Sequence, residues 1–111
     1  MSETTVRIRR GDIWTVKPSG FPKPSPALVI SIDPINDLCP DVLMIPLTTK
    51  DGPLRVQLDV PAGVSGLEQV SYAKCESLGP VHKSRLKRHV GRIPPGLIAQ
   101  VETGVRTVLG V

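Results

Sequence analysis

Two short polar stretches carry the side-chain types that proton transfer requires. Lys74-Cys75-Glu76 places an ammonium group and a carboxylate two residues apart, so an extended chain would hold both on the same side. Such a pair fits general acid–base chemistry, and it equally fits a surface ion pair worth less than about 1 kcal/mol. Thr48 and Thr49 follow the apolar stretch 45–47. Their hydroxyls are therefore expected where a buried strand reaches the surface, either contacting a substrate or capping a turn.

The elements that must position these residues are mostly strands, because β-branched residues dominate the apolar content. Apolar runs or clean alternation predict strands at 12–16, 27–32, 42–47, 54–58, 69–74 and 77–82. A long loop is expected over 17–26, where four prolines and Gly20 exclude a helix or a central strand. A turn is expected between Asp33 and Pro40, and a further loop over 61–66.

The end of the chain changes to a helical period. One face of this segment collects the apolar residues Leu97, Ile98, Val101, Val105, Val108 and Leu109. Pro94-Pro95 suits a first turn and Gly110 suits a C-terminal stop, while Gly104 indicates either a close backbone approach or simple tolerance. The predicted fold is mainly β (α+β): a small, strongly bent antiparallel sheet or barrel closed by a C-terminal helix. Residues 1–8 are predicted to be a tail and 9–111 a single domain.

Positive charge is concentrated in one part of the chain. The 111 residues carry a net charge of +4, and the segment 77–101 contains no acid. Its cations are Lys83, Arg85, Lys87, Arg88 and Arg92. Such a segment suits a polyanionic partner, or it is simply a solvated positive surface. Only three aromatic residues are present, Trp14, Phe21 and Tyr72, which argues against a platform that stacks several bases.

Several functional classes are excluded by what the sequence lacks. Cys39 and Cys75 are too few for a disulfide scaffold or a cysteine-based zinc site, and His82 and His89 lie among cations that disfavour a metal ion. There is no Gly-rich phosphate loop and no Ser/His/Asp signature. No apolar run approaches 18 residues, and no signal peptide is apparent. We therefore expect a soluble cytoplasmic protein that uses no metal and no other cofactor.

Motifs in a fixed order resemble the MazF/PemK/Kid family of toxins. The first is Arg10-Gly11-Asp12-Ile13-Trp14, and the others lie at 26–31, 42–48, 66–67 with Ser71, 74–76, 83–86 and 90–93. The terminal helix matches as well, so the resemblance spans roughly residues 9 to 110. It implies an SH3-like barrel that dimerises, cleaves single-stranded RNA at short sequences, and is silenced by an antitoxin with an acidic disordered tail. The cut would need no metal, because the ribose 2′-hydroxyl attacks the adjacent phosphate.

The resemblance also implies roles for individual residues. Thr48 matches the threonine that contacts the scissile phosphate, Glu76 matches an acidic base found in one branch, and Lys74 stands where that branch has an arginine. Ser25 stands where most members have a catalytic arginine, and Lys23 is the nearest cation. The predicted catalytic set is therefore Thr48, Lys74, Glu76, Lys23 and Ser25. Contacts to RNA are predicted for Arg10, Lys17, Phe21, Lys50, Lys83 and Arg85. The basic stretch 83–92 is a plausible counter-charge for the antitoxin.

Two alternative functions remain open from the sequence. Because Ser25 carries no charge, the domain could bind RNA or an antitoxin without cutting RNA. Gyrase poisons of the CcdB type are thought to share this barrel, and they act through a C-terminal end that docks into the target. The C-terminus here, Leu109-Gly110-Val111, is short and has no aromatic residue, so this third function ranks last.

Overall fold

Seven antiparallel strands form one strongly bent sheet. The computed structural model describes residues 7–17 and 24–111. The strands are β1 (Asp12–Val16), β2 (Ser25–Val29), β3 (Asp41–Thr48), β4 (Val56–Leu58), β5 (Ser71–Ala73), β6 (Gly79–His82) and β7 (Leu86–Arg92). Their order is β4-β5-β3-β2-β1-β7, and β6 pairs with β3 off this path. The helices are α1 (Asp33–Leu38), α2 (Ala62–Ser65) and α3 (Pro95–Leu109).

The eight-residue strand β3 lies at the centre of the fold because three neighbours share it. Its first half pairs with β6, its middle pairs with β2, and its last two residues, Leu47 and Thr48, pair with β5. β2 lies along one edge of β3, and β6 and β5 divide the other edge between them. The prediction of a mainly β fold, a bent antiparallel sheet closed by a C-terminal helix, is confirmed.

Both faces of the sheet are apolar. The larger core lies between the sheet and α3, and it contains Ile13, Leu28, Ile45, Leu47, Ile93, Leu97 and Val101. A second cluster covers the other face and contains Trp14, Val16, Ala27, Val29, Val42 and Met44. Neighbouring residues such as Ile13 and Trp14 fall in different clusters, as the alternation of a strand requires.

Helix α3 follows its sequence pattern closely. Gly110 adopts φ 75° at the C-terminal cap, where its N–H bonds the carbonyls of Arg106 and Thr107. A Cβ on Gly104 would lie 2.9 Å from both Cys75 Sγ and Val56 Cγ2, so the glycine permits a close approach to the sheet. Of the two explanations open for Gly104, the close approach is the one that the structure supports.

Strand β7 was not predicted, and it is the main correction to the sequence analysis. Its seven residues pair with β1 in a register that includes Asp12 with Arg92 and Trp14 with His89. Four of the seven carry cationic or imidazole side chains, so neither alternation nor an apolar run marks them as a strand. The strand forms because its backbone completes the edge of β1.

Several predicted boundaries were also wrong. Strand β2 includes Ser25 and Pro26, which were assigned to a loop, and it ends at Val29 rather than at residue 32. Strand β4 begins at Val56 because Leu54 has φ 63° and belongs to a turn. The remaining differences are short: α1 occupies the predicted turn after residue 32, α2 lies in the predicted loop 61–66, β5 covers only Ser71–Ala73, and β6 begins at Gly79.

Candidate active site at the open end of β1 and β2

Strand register brings two predicted hydroxyl groups together. Ser25 pairs with Val16 across β1 and β2, and β2 pairs with β3 through Ala27 and Pro46. That pairing ends two residues before Ser25 and Thr48, which lie at the same end of β2 and β3 and, by alternation, on the same face. Thr48 pairs with Tyr72 of β5. The predicted catalytic residues Ser25 and Thr48 therefore lie at the same end of the sheet, although they are 23 positions apart in the chain.

Thr48 is held by its own turn. Its Oγ1 accepts a hydrogen bond of 3.2 Å from the backbone N–H of Lys50, so the hydroxyl does cap the turn that follows β3. A hydroxyl has one proton to donate and two lone pairs, and this contact uses one lone pair. The Thr48 hydroxyl can therefore still donate its proton to a bound anion.

Beside Ser25 lies an open cavity of about 220 Å³, referred to below as the Ser25 cavity. Its polar lining comes from Ser25, Ser77 and Arg85. The rest of the lining is mainly apolar and consists of Val16, Pro26, Ala27, Met44, Pro46, Gly79, Pro80 and Val81. Two hydroxyls and one guanidinium thus surround a space with apolar walls, where charge interactions are stronger than in open water.

Arg85 is held at the edge of this cavity by two hydrogen bonds to the backbone of Lys17. Its Nε donates a 2.9 Å hydrogen bond to the carbonyl of Lys17, whose N–H in turn bonds the carbonyl of Arg85 at 3.0 Å. Within residues 7–17 and 24–111, no carboxylate lies within ion-pair distance of its guanidinium. Its terminal nitrogens therefore keep their full charge for a ligand.

The predicted pairing of Lys74 with Glu76 on an extended chain was wrong. Residues Cys75–Ser77 form a 3₁₀ turn, and the Glu76 carboxylate instead contacts Arg55, at 3.4 Å from Nε and 3.3 Å from Nη2. Arg55 Nη1 also donates to the carbonyl of Lys50 at 2.8 Å. Arg55 thereby ties the turn that bears Glu76 to the end of β3.

Glu76 is ionised at neutral pH. Its pKa lies below the usual glutamate value, first because its own backbone N–H bonds the carboxylate, and further because Arg55 donates to it and Lys74 adds positive charge. Glu76 can therefore accept a proton but has none to give. Lys74 is half-buried, and its backbone N–H bonds the carbonyl of Pro46 at 2.9 Å, which places it beside the same part of β3.

The remaining predicted residues do not all gather here. Lys17 and Lys50 are exposed near the Ser25 and Thr48 end, whereas Lys83 lies near the Asp41 end of β3, where its N–H bonds the carbonyl of Pro40. Arg10 is at the opposite end of β1, and its guanidinium bonds the carbonyl of Ile30 and the carboxylate of Glu102. Lys23 and Phe21 lie outside the described residues.

Sequence reasoning missed two residues of the site, Arg55 and Ser77. Arg55 was assigned to the exposed face of a strand, and nothing in the sequence signals its contact with a carboxylate 21 positions away. Ser77 reaches the Ser25 cavity only because the 3₁₀ turn redirects the chain before β6.

The cysteine and histidine side chains are not part of the Ser25 cavity. Cys39 is exposed, whereas Cys75 is buried under α3, and burial raises the pKa of the Cys75 thiol above its ordinary value. His89 Nε2 lies 3.4 Å from the buried carboxylate of Asp12, and its ring meets Trp14 edge-on. In the part of the chain that the structure describes, no three His, Cys, Asp or Glu residues are grouped to hold a metal ion. None of the described helices is long and apolar enough to cross a membrane.

The class of the protein is shown by a family model that matches most of the chain. Residues 9–109 match the family described as PemK-like, MazF-like toxin of type II toxin–antitoxin system, and the chain belongs to that family. Solved structures with the same fold include an endoribonuclease from a Mycobacterial species in complex with its cognate antitoxin. That structure has a TM-score of 0.79 at 22% identity, covering 96% of this chain and 97% of that one.

Two further solved structures share the fold. The Mycobacterium tuberculosis toxin MazF-mt6 has a TM-score of 0.77 at 19% identity over 90% of this chain and 97% of its own. The MazE–MazF structure from Deinococcus radiodurans has a TM-score of 0.73 at 22% identity over 97% of this chain and 99% of that one. The resemblance stated from the sequence motifs is thus confirmed at the level of the family.

Proposed function

We propose that this protein is the toxin of a type II toxin–antitoxin pair and cleaves single-stranded RNA at specific short sequences without a metal ion. The observation that carries the proposal is the Ser25 cavity, where Arg85, Ser25 and Ser77 line one space at the beginning of β2. Membership of the toxin family gives the reaction class, and relatives of the same fold are named as endoribonucleases.

The proposed reaction is attack by the ribose 2′-hydroxyl on the adjacent phosphorus. The new P–O bond closes a 2′,3′-cyclic phosphate, and the bond to the 5′-oxygen of the next nucleotide breaks. Because DNA lacks the 2′-hydroxyl, only RNA can react in this way. The protein has to accept the 2′ proton, protonate the leaving oxygen and stabilise the charge on the phosphorane.

The Ser25 cavity is proposed to stabilise the negative charge that develops on the phosphorane. Arg85 supplies a guanidinium that has no carboxylate partner among residues 7–17 and 24–111, and the hydroxyls of Ser25 and Ser77 line the same cavity. The Thr48 hydroxyl is proposed as a further donor at the end of β3. The apolar walls reduce screening by water, which strengthens each of these contacts on a developing negative charge. Lys23, the other cation predicted for this task, is proposed on the resemblance alone.

Proton transfer is assigned to the 3₁₀ turn and the residue before it. Glu76 is ionised and therefore serves as the acceptor for the 2′ proton, while Lys74 is the donor to the leaving oxygen. Arg55 acts as a positioning residue, because it holds Glu76 against the end of β3 through its bond to the carbonyl of Lys50.

The proposed partners follow from the family and from the charge distribution. They are single-stranded RNA, a second copy of the chain, and an antitoxin whose acidic segment meets the basic stretch 83–92. One relative of the same fold is an endoribonuclease in complex with its cognate antitoxin, which supports the antitoxin as a partner. The proposed compartment is the cytoplasm.

The proposal is tested by incubating purified protein with single-stranded RNA in excess chelator. We expect cleavage of the RNA, no cleavage of an all-deoxy strand of the same sequence, and a 2′,3′-cyclic phosphate at the new end. Thr48→Val removes the hydroxyl with little change in shape and is expected to slow cleavage by about 10²-fold. Intact RNA at micromolar protein would overturn the proposal.

Ser25 favours a second function, binding without cleavage, because the strand end itself carries no charge. In that case the RNA stays intact while the protein still binds RNA or its antitoxin. Ser25→Arg would then place a guanidinium directly in the cavity and should create cleavage. A Ser25→Arg variant that binds RNA but still fails to cut it would show that the uncharged residue 25 is not what prevents cleavage.

A further inference from the structure

We propose that the groove beneath the loop Gly66–Val70 is a subsite that recognises one nucleobase of the RNA, preferring a base with an exocyclic amino group. The inference rests on the proposed function, because it supplies the sequence preference of the same RNA-binding surface. The groove has a volume of about 510 Å³, which is within the range of ligand sites.

Its position relative to the Ser25 cavity is the first observation. Pro26 lines both spaces, so the groove begins on the other side of the residue that follows Ser25. Thr49, which also lines the groove, directly follows Thr48. Ser25 and Pro26 face opposite sides of the sheet, so an RNA strand whose phosphate lies in the Ser25 cavity would reach the groove around the ends of β2 and β3.

The wall of the groove is fixed before any ligand arrives. Gly66 has φ 74°, and a Cβ there would collide with the carbonyl oxygen of Val90. A Cβ on Gly91 would collide with the carbonyl oxygen of Ser65. The loop therefore packs directly on the backbone of β7 through two glycines. Ser65 Oγ also accepts a 3.1 Å bond from the N–H of Leu67. A wall held in this way does not have to be ordered when it binds.

The side chains on that wall can identify a base edge. Glu68 and Gln69 are exposed and line the groove together with Thr49. A carboxylate only accepts hydrogen bonds, whereas an amide and a hydroxyl can both donate and accept. Carboxylates and amides pair with the amino groups of cytosine and adenine, which uracil lacks. Glu68 is therefore expected to favour an amino-bearing base over uracil.

Arg88 supplies the surface on which the base can stack. It lines the same groove, and its backbone N–H bonds Thr15 Oγ1 at 3.1 Å, which sets its place on the sheet. Within the described ranges, its guanidinium forms no ion pair. A guanidinium plane stacks on single-stranded bases much as an aromatic ring does. Arg88 thus supplies stacking in a chain that has only three aromatic residues.

The test uses a pool of single-stranded RNA with randomised positions and 2′-O-methyl groups, which the protein can bind but not cut. Sequencing the retained fraction of the wild-type protein should show one position enriched in amino-bearing bases. Glu68→Ala combined with Gln69→Ala should reduce that enrichment at least fivefold, while total retention changes less than twofold. Arg88→Ala should lower total retention about tenfold. Gln57→Ala, an exposed glutamine on β4, is the matched control and should change neither quantity.

The outcomes separate this inference from the proposed function. A biased pool with no cleavage of ordinary RNA supports the subsite and overturns the proposed endoribonuclease activity. Cleavage of ordinary RNA with an unchanged bias in the double variant overturns the subsite alone. A wild-type pool enriched in uracil, or no retention of RNA, also overturns it. If the same variants weaken binding of an acidic antitoxin peptide but not of RNA, the groove is a protein-binding site and the inference fails.

Discussion

The two ends of β1 both carry several cations, but they hold them differently. At the Asp12 end, Arg92 and His89 each lie 3.4 Å from the buried Asp12 carboxylate, and Arg10 pairs with Glu102 at 2.7 Å. At the Val16 end, Arg85 bonds a backbone carbonyl, and no carboxylate of the described residues pairs with it. We refer to these as the paired end and the open end of β1.

The difference shows why net charge is a poor guide to a nucleic-acid surface. A guanidinium beside a carboxylate contributes little to the potential felt by a polyanion, because the two fields largely cancel at a distance. Arg10 and Arg85 were both predicted to contact RNA, and composition gives no way to rank them. Arg10 is paired with Glu102, whereas Arg85 has no carboxylate partner among the described residues, so the proposed function predicts RNA at the open end.

Alanine substitutions at the two ends provide the largest contrast. Arg85→Ala should lower the rate of RNA cleavage by about 10²–10³-fold, because it removes a donor aimed at the developing phosphorane charge. Arg92→Ala, the matched arginine of the paired end, should change the rate less than about threefold. The measurement is kcat/KM on one labelled RNA, and equal losses in the two variants would show that the distinction between the ends is wrong.

The free energy of unfolding should depend on the paired end of β1 more than on exposed positions. Asp12 is buried and accepts the N–H of Arg9 at 2.9 Å in addition to its contacts with Arg92 and His89. Asp12→Ala leaves these donors without an acceptor and should lower the free energy of unfolding by about 1–3 kcal/mol. Glu68→Ala, at an exposed position, should change it by no more than about 0.5 kcal/mol. Urea denaturation measures the free energy of unfolding of both variants. An Asp12→Ala variant as stable as the wild type would contradict the structural role given to the paired end.

The salt dependence of RNA binding gives a smaller but direct comparison. Arg85→Ala should reduce the slope of log K against log salt by about 0.7, as expected when one contact to a single-stranded phosphate backbone is lost. Arg7→Ala should leave the slope unchanged, because Arg7 is bonded to Asp37 at 2.8 Å. Fluorescence anisotropy at several salt concentrations measures the slope. A lower slope for Arg7→Ala would mean that the paired end also contacts RNA.

The smallest expected effect is a change of stability with acid. The pKa of Asp33 lies below the ordinary value of 3.8, first because the backbone N–H of Arg10 bonds its carboxylate. The Asp33 carboxylate therefore stabilises the folded state above pH 3.8, and this stabilisation is lost as the pH falls through the lower folded-state pKa. Melting temperatures between about pH 6 and pH 3 should fall less steeply for Asp33→Asn than for the wild type. Identical pH profiles would contradict the assignment.

The sequence predicts the elements whose side chains are buried better than those whose side chains are exposed. Strand β3 and helix α3 were predicted because each shows an apolar pattern of the correct period. Strand β7 was missed because Lys87, Arg88 and His89 are exposed, and its strand character comes from pairing with β1 rather than from its own side chains. Helix α1 was read as a turn, since its six residues, Asp33–Leu38, are too few to show a period.

The candidate site was less accessible to sequence reasoning than the fold. Thr48 and Ser25 were singled out through the family resemblance, and only the strand pairing shows that they lie at the same end of the sheet. The partner of Glu76 was assigned to Lys74 because the two are close in sequence. A 3₁₀ turn breaks that relation and gives the carboxylate to Arg55 instead. Contacts across more than 20 positions have no local signal in a single chain.

The glycine contact between Gly66 and β7 has a consequence for how such a protein can diverge. Because backbone meets backbone there, the frame of the groove does not depend on which side chains occupy positions 68 and 69. Under the proposed function, mutations at those exposed positions would alter the RNA sequence that is read while leaving folding and cleavage chemistry intact. A lineage that keeps Gly66 and Gly91 would then exchange one target sequence for another through two surface codons.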